Sequence, residues 1–159
     1  MADLEDIYSE RVLQLSANMP RTGRLKDPDA TASAHSKLCG SRITVSLKMD
    51  GGVVTDYAQD VRACLLGQTS AAVVGANIVG STGDELRAVG AQMRRMLKEG
   101  GHPPAGRWQD LAILEIVRDY KARHASTLLV FDAVEDAIAQ IEKSRAAARA
   151  TSLRHSIWS

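Results

Sequence analysis

Cysteine is almost missing from this chain: Cys39 and Cys64 are the two thiols in 159 residues. They do not form a C-x-x-C pair, so the usual sequence mark of a thiol oxidoreductase is absent. Aromatic side chains are scarce as well, at 4% with a single phenylalanine, so any core has to be built from aliphatic residues and alanine. Charge of one sign is not in excess. With 20 basic and 19 acidic residues and a net charge of +1, there is no electrostatic case for a nucleic-acid surface. No apolar run approaches the roughly 18 residues that crossing a bilayer requires, so no membrane span is expected. The N-terminal stretch MADLEDIYSE is acidic and lacks the basic and apolar regions of a signal peptide. A cytoplasmic location is expected. There, paired cysteines more often bind metal or do redox chemistry than form a structural disulfide.

What is present is globular: 45% hydrophobic and 25% charged residues, in a chain long enough for one domain with its own core. Residues 4–17 place Ile7, Val12 and Leu15 near one face at helical spacing. Pro20, Gly23 and Pro28 end that helix in a loop. ATASAHSK, residues 30–37, reads as a weak strand. In SRITVSLKM the signal is firmer: Ile43, Val45, Leu47 and Met49 alternate with Arg42, Thr44, Ser46 and Lys48, predicting one buried and one wet face. Asp50-Gly51-Gly52 is a hairpin turn, and VVTDYAQDV returns as the partner strand.

From Gly67 the period becomes helical. GQTSAAVVGANIVG is small or apolar nearly all round, which predicts a buried helix. Ser81-Thr82-Gly83-Asp84 opens the next helix, whose Leu86, Val89, Met93, Met96 and Leu97 form a core stripe opposite a solvated face with Arg87, Arg94, Arg95 and Lys98. GGHPPAGR is a loop, and two further helices follow, WQDLAILEIVRDY and the long STLLVFDAVEDAIAQIEKSRAAARA. The last nine residues, TSLRHSIWS, show no periodicity. The prediction is one α+β domain over residues 1–146, a small antiparallel three-stranded sheet packed against about five helices, with 147–159 as a basic, flexible tail.

Cys39 precedes one hairpin strand and Cys64 follows its partner. In an antiparallel hairpin the start of one strand lies beside the end of the other, so the two thiols are expected to be neighbours at one end of the sheet. Three roles remain open: buried core cysteines, a disulfide, or a metal or sulfur site. Cys64 stands just before a helix start, where backbone N–H groups and the helix dipole favour a thiolate, so it is ranked as the better nucleophile.

The order of features resembles the iron–sulfur cluster assembly scaffolds of the IscU/SufU/NifU N-terminal type. That family's pattern is an N-terminal helix, N-P-x-C-G-D, a hairpin, G-x-G-C before a small-residue helix, and a final helix entered through a third cysteine. Here the blocks read Ser36-Lys37-Leu38-Cys39-Gly40-Ser41, Arg62-Ala63-Cys64-Leu65-Leu66-Gly67-Gln68 and Arg123-His124-Ala125-Ser126-Thr127-Leu128, over roughly residues 5–142. The resemblance implies a SufE/NifU-like fold and a binding protein rather than an enzyme. It implies that a nascent [2Fe-2S] cluster, or a zinc or iron ion, is held transiently by Cys39, Cys64 and His124. It also implies a cysteine desulfurase as sulfur donor and apo iron–sulfur proteins as acceptors.

Departures from the pattern are explicit. Ala125 or Ser126 stands where the third cysteine belongs, Ser41 replaces the aspartate, and Ser36-Lys37 replaces Asn-Pro. The fourth corner of a site would fall to water, a partner's side chain or His35. DYKARHAS occupies the region that recruits an Hsp70-type chaperone in the IscU branch, so that partner is not expected. A non-assembling relative acting as an adaptor or regulator is the rival reading. Apart from the resemblance, His124 reads as a helix-start residue bonded to backbone, and His102 and His155 as surface.

Overall fold

In the computed structural model, residues 9–158 are described, with side-chain surroundings through residue 153. The first described helix, α1 (Glu10–Ala17), starts at Ser9, whose hydroxyl accepts the Val12 N–H at 3.4 Å, and it buries Val12. Ile7 lies outside the described residues. Three antiparallel strands follow: β1 (Ala30–His35), β2 (Arg42–Asp50) and β3 (Val53–Arg62), in the order β1-β2-β3. The β2–β3 turn is Gly51-Gly52, with φ of 58° and 83°; two consecutive positive φ angles define the tight turn that suits strand twist, and glycine adopts them without strain.

The expected two-faced β2 is buried on both faces. Ile43, Val45, Leu47 and Met49 enter the core as predicted, but Thr44 and Ser46 are buried as well. β2 is the central strand, and its second face is covered: Ser46 Oγ accepts the Leu25 N–H at 2.9 Å, and the Thr44 and Ser33 hydroxyls pair at 2.7 Å. The free edge of β3 is covered too. Gly23 N–H donates to the Gln59 carbonyl, the Gln59 N–H donates to Arg21, and further along Val54 exchanges bonds with Gly80 and Ser81.

Helix α2 (Leu65–Asn77) is buried nearly all round, as its composition predicts, although it begins at Leu65 rather than Gly67. Its small residues set close approaches. A Cβ on Gly75 would stand 2.6 Å from Gln59 Nε2, and one on Gly67 would stand 2.8 Å from the Ala63 Cβ and 3.1 Å from the Ser126 carbonyl oxygen. Helix α3 (Gly83–Glu99) is capped by Thr82, whose hydroxyl accepts the Glu85 N–H at 3.1 Å, and Met93 and Met96 are core residues as expected. Its polar face is only partly solvated: Arg87 pairs with Glu142, and Arg94 with Asp132 and Glu135, tying α3 to the last helix.

Where WQDLAILEIVRDY predicts a helix, the chain forms a 3₁₀ helix, Gly106–Asp119. Its buried residues are Trp108, Leu111, Leu114 and Val117, spaced by three, the repeat at which 3₁₀ side chains eclipse into one stripe. Such a long 3₁₀ run is uncommon; this unbroken apolar stripe lies against α2 and α3 and supplies the packing that a short local turn lacks. After a short turn, α4 (His124–Trp158) crosses the inner side of the sheet and continues through the segment expected to be a tail. Among the described residues, four α-helices and the long 3₁₀ helix lie with one three-stranded antiparallel sheet, the α+β architecture that the sequence predicts.

Candidate functional site

The hairpin register pairs Arg42 with Arg62, so the chain entering β2 and the chain leaving β3 meet at one end of the sheet. Cys39 sits in the β1–β2 loop, a turn closed by Ser36 N–H to Ser41 O at 2.8 Å and Gly40 N–H to Ser36 O at 2.9 Å. Gly40 has a φ of 72°, the left-handed backbone that lets the loop close. Cys64 is the residue just before α2.

Ser41 joins the two cysteines. Its buried Oγ lies 2.9 Å from Cys39 Sγ and accepts the Cys64 backbone N–H at 3.2 Å. With its acceptor side occupied by that N–H, the hydroxyl proton is free to point at the Cys39 sulfur. On the other side Cys64 Sγ donates to Ser126 Oγ at 3.3 Å, and Ser126 passes its own proton to the Arg123 carbonyl at 3.3 Å. Both cysteines are free thiols, Cys39 exposed and Cys64 half-buried. The thiols are therefore neither sealed in the core nor joined as a disulfide.

Sequence alone ranks Cys64 as the better nucleophile, whereas in the structure it is the exposed Cys39 whose thiol is held down by neighbouring hydroxyls. The Ser41 hydroxyl is the largest influence holding the Cys39 thiol below its ordinary pKa, and Ser36, the Ser41 backbone and Ser126 add to it against a smaller opposing effect of burial. The Cys64 thiol does not cap its own helix; it is turned to Ser126. The rate of Cys39 alkylation by iodoacetamide is therefore expected to rise with pH about a midpoint below that of an ordinary thiol, because only the thiolate reacts. Ser41→Ala should move that midpoint upward. An unchanged midpoint in the variant would remove Ser41 from the account.

His124 is buried at the start of α4, and its Nε2 lies 3.1 Å from the Val117 carbonyl and 3.0 Å from that of Arg118. Nε2 is thus the donor that caps the end of the 3₁₀ helix, which leaves Nδ1 as the ring's one lone pair for a metal. Among the described residues, no three His, Cys, Asp or Glu side chains are grouped closely enough to hold a metal ion. The structure brings Cys39 and Cys64 together, and His124 is bonded through Nε2 to the end of the 3₁₀ helix. His35 lies on the outer face of β1, paired in register with Arg42. What sequence reasoning missed is the role of serine. Ser36, Ser41 and Ser126 are all buried around the thiols, and Ser126, not the exposed Ala125, is the residue that meets a cysteine in the place of the absent third one.

The chain thus combines a three-stranded antiparallel sheet, two free thiols at one end of it and a glycine-bearing helix behind them. No family model matches the chain. A crystal structure of the N-terminal part of a nitrogen-fixing NifU-like protein from Brucella abortus is 58% identical, with a TM-score of 0.87, over 88% of this chain and 97% of that one. The iron–sulfur cluster assembly scaffold protein IscU of Thermotoga maritima is 24% identical over 86% of this chain and 96% of its own length. The zinc-dependent sulfurtransferase SufU of Bacillus subtilis is 23% identical over 89% and 95%. This chain belongs to the IscU/SufU/NifU family of iron–sulfur cluster assembly scaffolds.

Proposed function

We propose that this chain is a carrier in iron–sulfur cluster assembly that holds a cluster, or an iron or zinc ion, for handover on Cys39 and Cys64, with His124 as third ligand through Nδ1. The observation that supports it best is the meeting of the two thiols around Ser41 and Ser126 at an open rim, with Cys39 exposed to incoming partners. Thiolates are the donors that iron and zinc prefer, and a rim position leaves the cargo reachable by donor and acceptor proteins. Cys39 is the residue that would take sulfur from a cysteine desulfurase, because its thiol is held below its ordinary pKa and is the exposed one of the two. Apo iron–sulfur proteins are the acceptors in this reading. The protein delivers cargo rather than turning over a substrate.

Anaerobic reconstitution with ferrous iron and sulfide tests the reading. The expected result is sulfur-to-iron charge-transfer absorption, lost in Cys39→Ser and in Cys64→Ser and reduced in His124→Ala, with transfer to an apo-ferredoxin. Bands that survive in the double cysteine variant would overturn the ligand assignment. The adaptor reading has its own observation, the serines Ser41 and Ser126 where the family carries an aspartate and a cysteine. Absence of both bands and transfer in the unaltered protein would decide for it.

A further inference from the structure

Sulfur that passes from one cysteine to another travels as a persulfide, at the oxidation level of elemental sulfur. To become sulfide it must gain two electrons. Two thiols that close into a disulfide give up that number. Cys39 and Cys64 are the only cysteines of the chain, so no third thiol competes for the role.

Contacts in space, not only order along the chain, bring the two sulfurs within reach of each other. One hydroxyl, Ser41 Oγ, lies 2.9 Å from Cys39 Sγ and accepts the Cys64 backbone N–H at 3.2 Å. A second, Ser126 Oγ, accepts from Cys64 Sγ at 3.3 Å; together with the larger effect of Ser41 it also holds the Cys39 thiol down. Two sulfurs served by the same pair of hydroxyls have no backbone element between them. The pair is also asymmetric. Cys39 is exposed on its loop and free to change rotamer, whereas Cys64 is half-buried and turned onto Ser126. A sulfur atom added to Cys39 has room on the solvent side, which leaves Cys39 Sγ itself as the atom that Cys64 meets.

We propose that Cys64 resolves a persulfide carried by Cys39, so that the pair releases sulfide at the rim and is left as a disulfide. This rests on the reading of Cys39 as the sulfur acceptor. Cys64 Sγ attacks Cys39 Sγ, and the bond from Cys39 Sγ to the outer sulfur breaks as the Cys39–Cys64 bond forms. The bonding electron pair leaves with the outer sulfur, and the Cys64 proton joins it, so one hydrogen sulfide departs. The two thiol sulfurs are together oxidised by two electrons, and the delivered sulfur is reduced by two. Every atom in the step belongs to the two cysteines and the sulfur brought to them. A small dithiol reopens the disulfide and returns both thiols for the next sulfur.

The test uses the full chain, reduced and freed of reductant under anaerobic conditions, with sodium tetrasulfide as the sulfur donor. Intact mass and peptide mapping follow the sulfur after rapid removal of the donor. The unaltered chain is expected to end lighter by two hydrogen atoms, with the peptides of Cys39 and Cys64 joined, and dithiothreitol should restore the starting mass. Cys64→Ser and Cys64→Ala should instead hold one added sulfur on Cys39. That sulfur should last about a hundredfold longer than in the parent, because the attacking group held beside it has been removed. Added sulfur that stays on Cys39 in the parent as long as in the variants, or disulfides that link two chains instead, would overturn the inference and leave the acceptor role intact. Failure of Cys39 to gain sulfur in either Cys64 variant would overturn the acceptor role as well.

Discussion

Gly67→Ala is expected to destabilise the protein by about 2 kcal/mol and to loosen the contact between Cys64 and Ser126. In an ordinary helix the change would stabilise by up to about 1 kcal/mol, because alanine is the better helix former. Here the sign is reversed by packing. The new methyl would stand 2.8 Å from the Ala63 Cβ and 3.1 Å from the Ser126 carbonyl oxygen, and neither neighbour is the end of a flexible side chain. Relief requires Ala63 to shift and α2 and the start of α4 to separate, and Ser126 is carried away with α4. Urea denaturation should show the lost stability, and Cys64 should alkylate faster once its partner withdraws. A variant at least as stable as the parent would show that α2 and α4 do not meet as closely as described.

Gln59→Leu should cost about 3 kcal/mol, measured as a lower urea midpoint at unchanged slope. Gln59 has no solvent exposure. Its Oε1 accepts the Tyr57 hydroxyl at 2.8 Å, and its Nε2 donates to the Ala71 carbonyl at 2.9 Å and the Pro20 carbonyl at 3.2 Å. One side chain thereby joins β3, α2 and the loop after α1. Leucine keeps much of the volume and removes every one of these bonds, leaving the Tyr57 hydroxyl and the Pro20 carbonyl without their partner. Tyr57 cannot escape by ionising, since burial raises its pKa above the ordinary tyrosine value. A loss below about 1 kcal/mol would mean that water or a shifted chain replaces the network.

Both substitutions fall on residues whose importance is invisible one position at a time. A glutamine in a β-strand reads as surface, and a glycine in a helix as a weak point. Their roles come from a neighbour 12 residues away for Gln59 and Ala71, and 59 residues away for Gly67 and Ser126. The same limit applies to the site. Antiparallel pairing follows from local alternation and a two-glycine turn, so the meeting of Cys39 and Cys64 at one sheet end could be read in advance. Which hydroxyls surround them could not, because Ser126 arrives on a helix whose docking depends on the absent side chain of Gly67.

His124 makes the contrast most plainly. Its place before the last helix is a matter of sequence, whereas the direction of its ring depends on where the 3₁₀ helix ends and exposes the Val117 and Arg118 carbonyls. That helix carries a three-residue apolar repeat in its sequence, yet a stripe at 108, 111, 114 and 117 also fits one face of an α-helix closely enough to be read as one. By itself the sequence determined the strands, the hairpin turn and the placing of two thiols at one rim, since each depends on neighbours in the chain. Tertiary structure decided that β2 is covered on both faces, that the Cys39 thiol is held below its ordinary pKa and that three serines surround it. Those outcomes depend on how closely separate elements approach, and that distance is set by packing across the whole molecule.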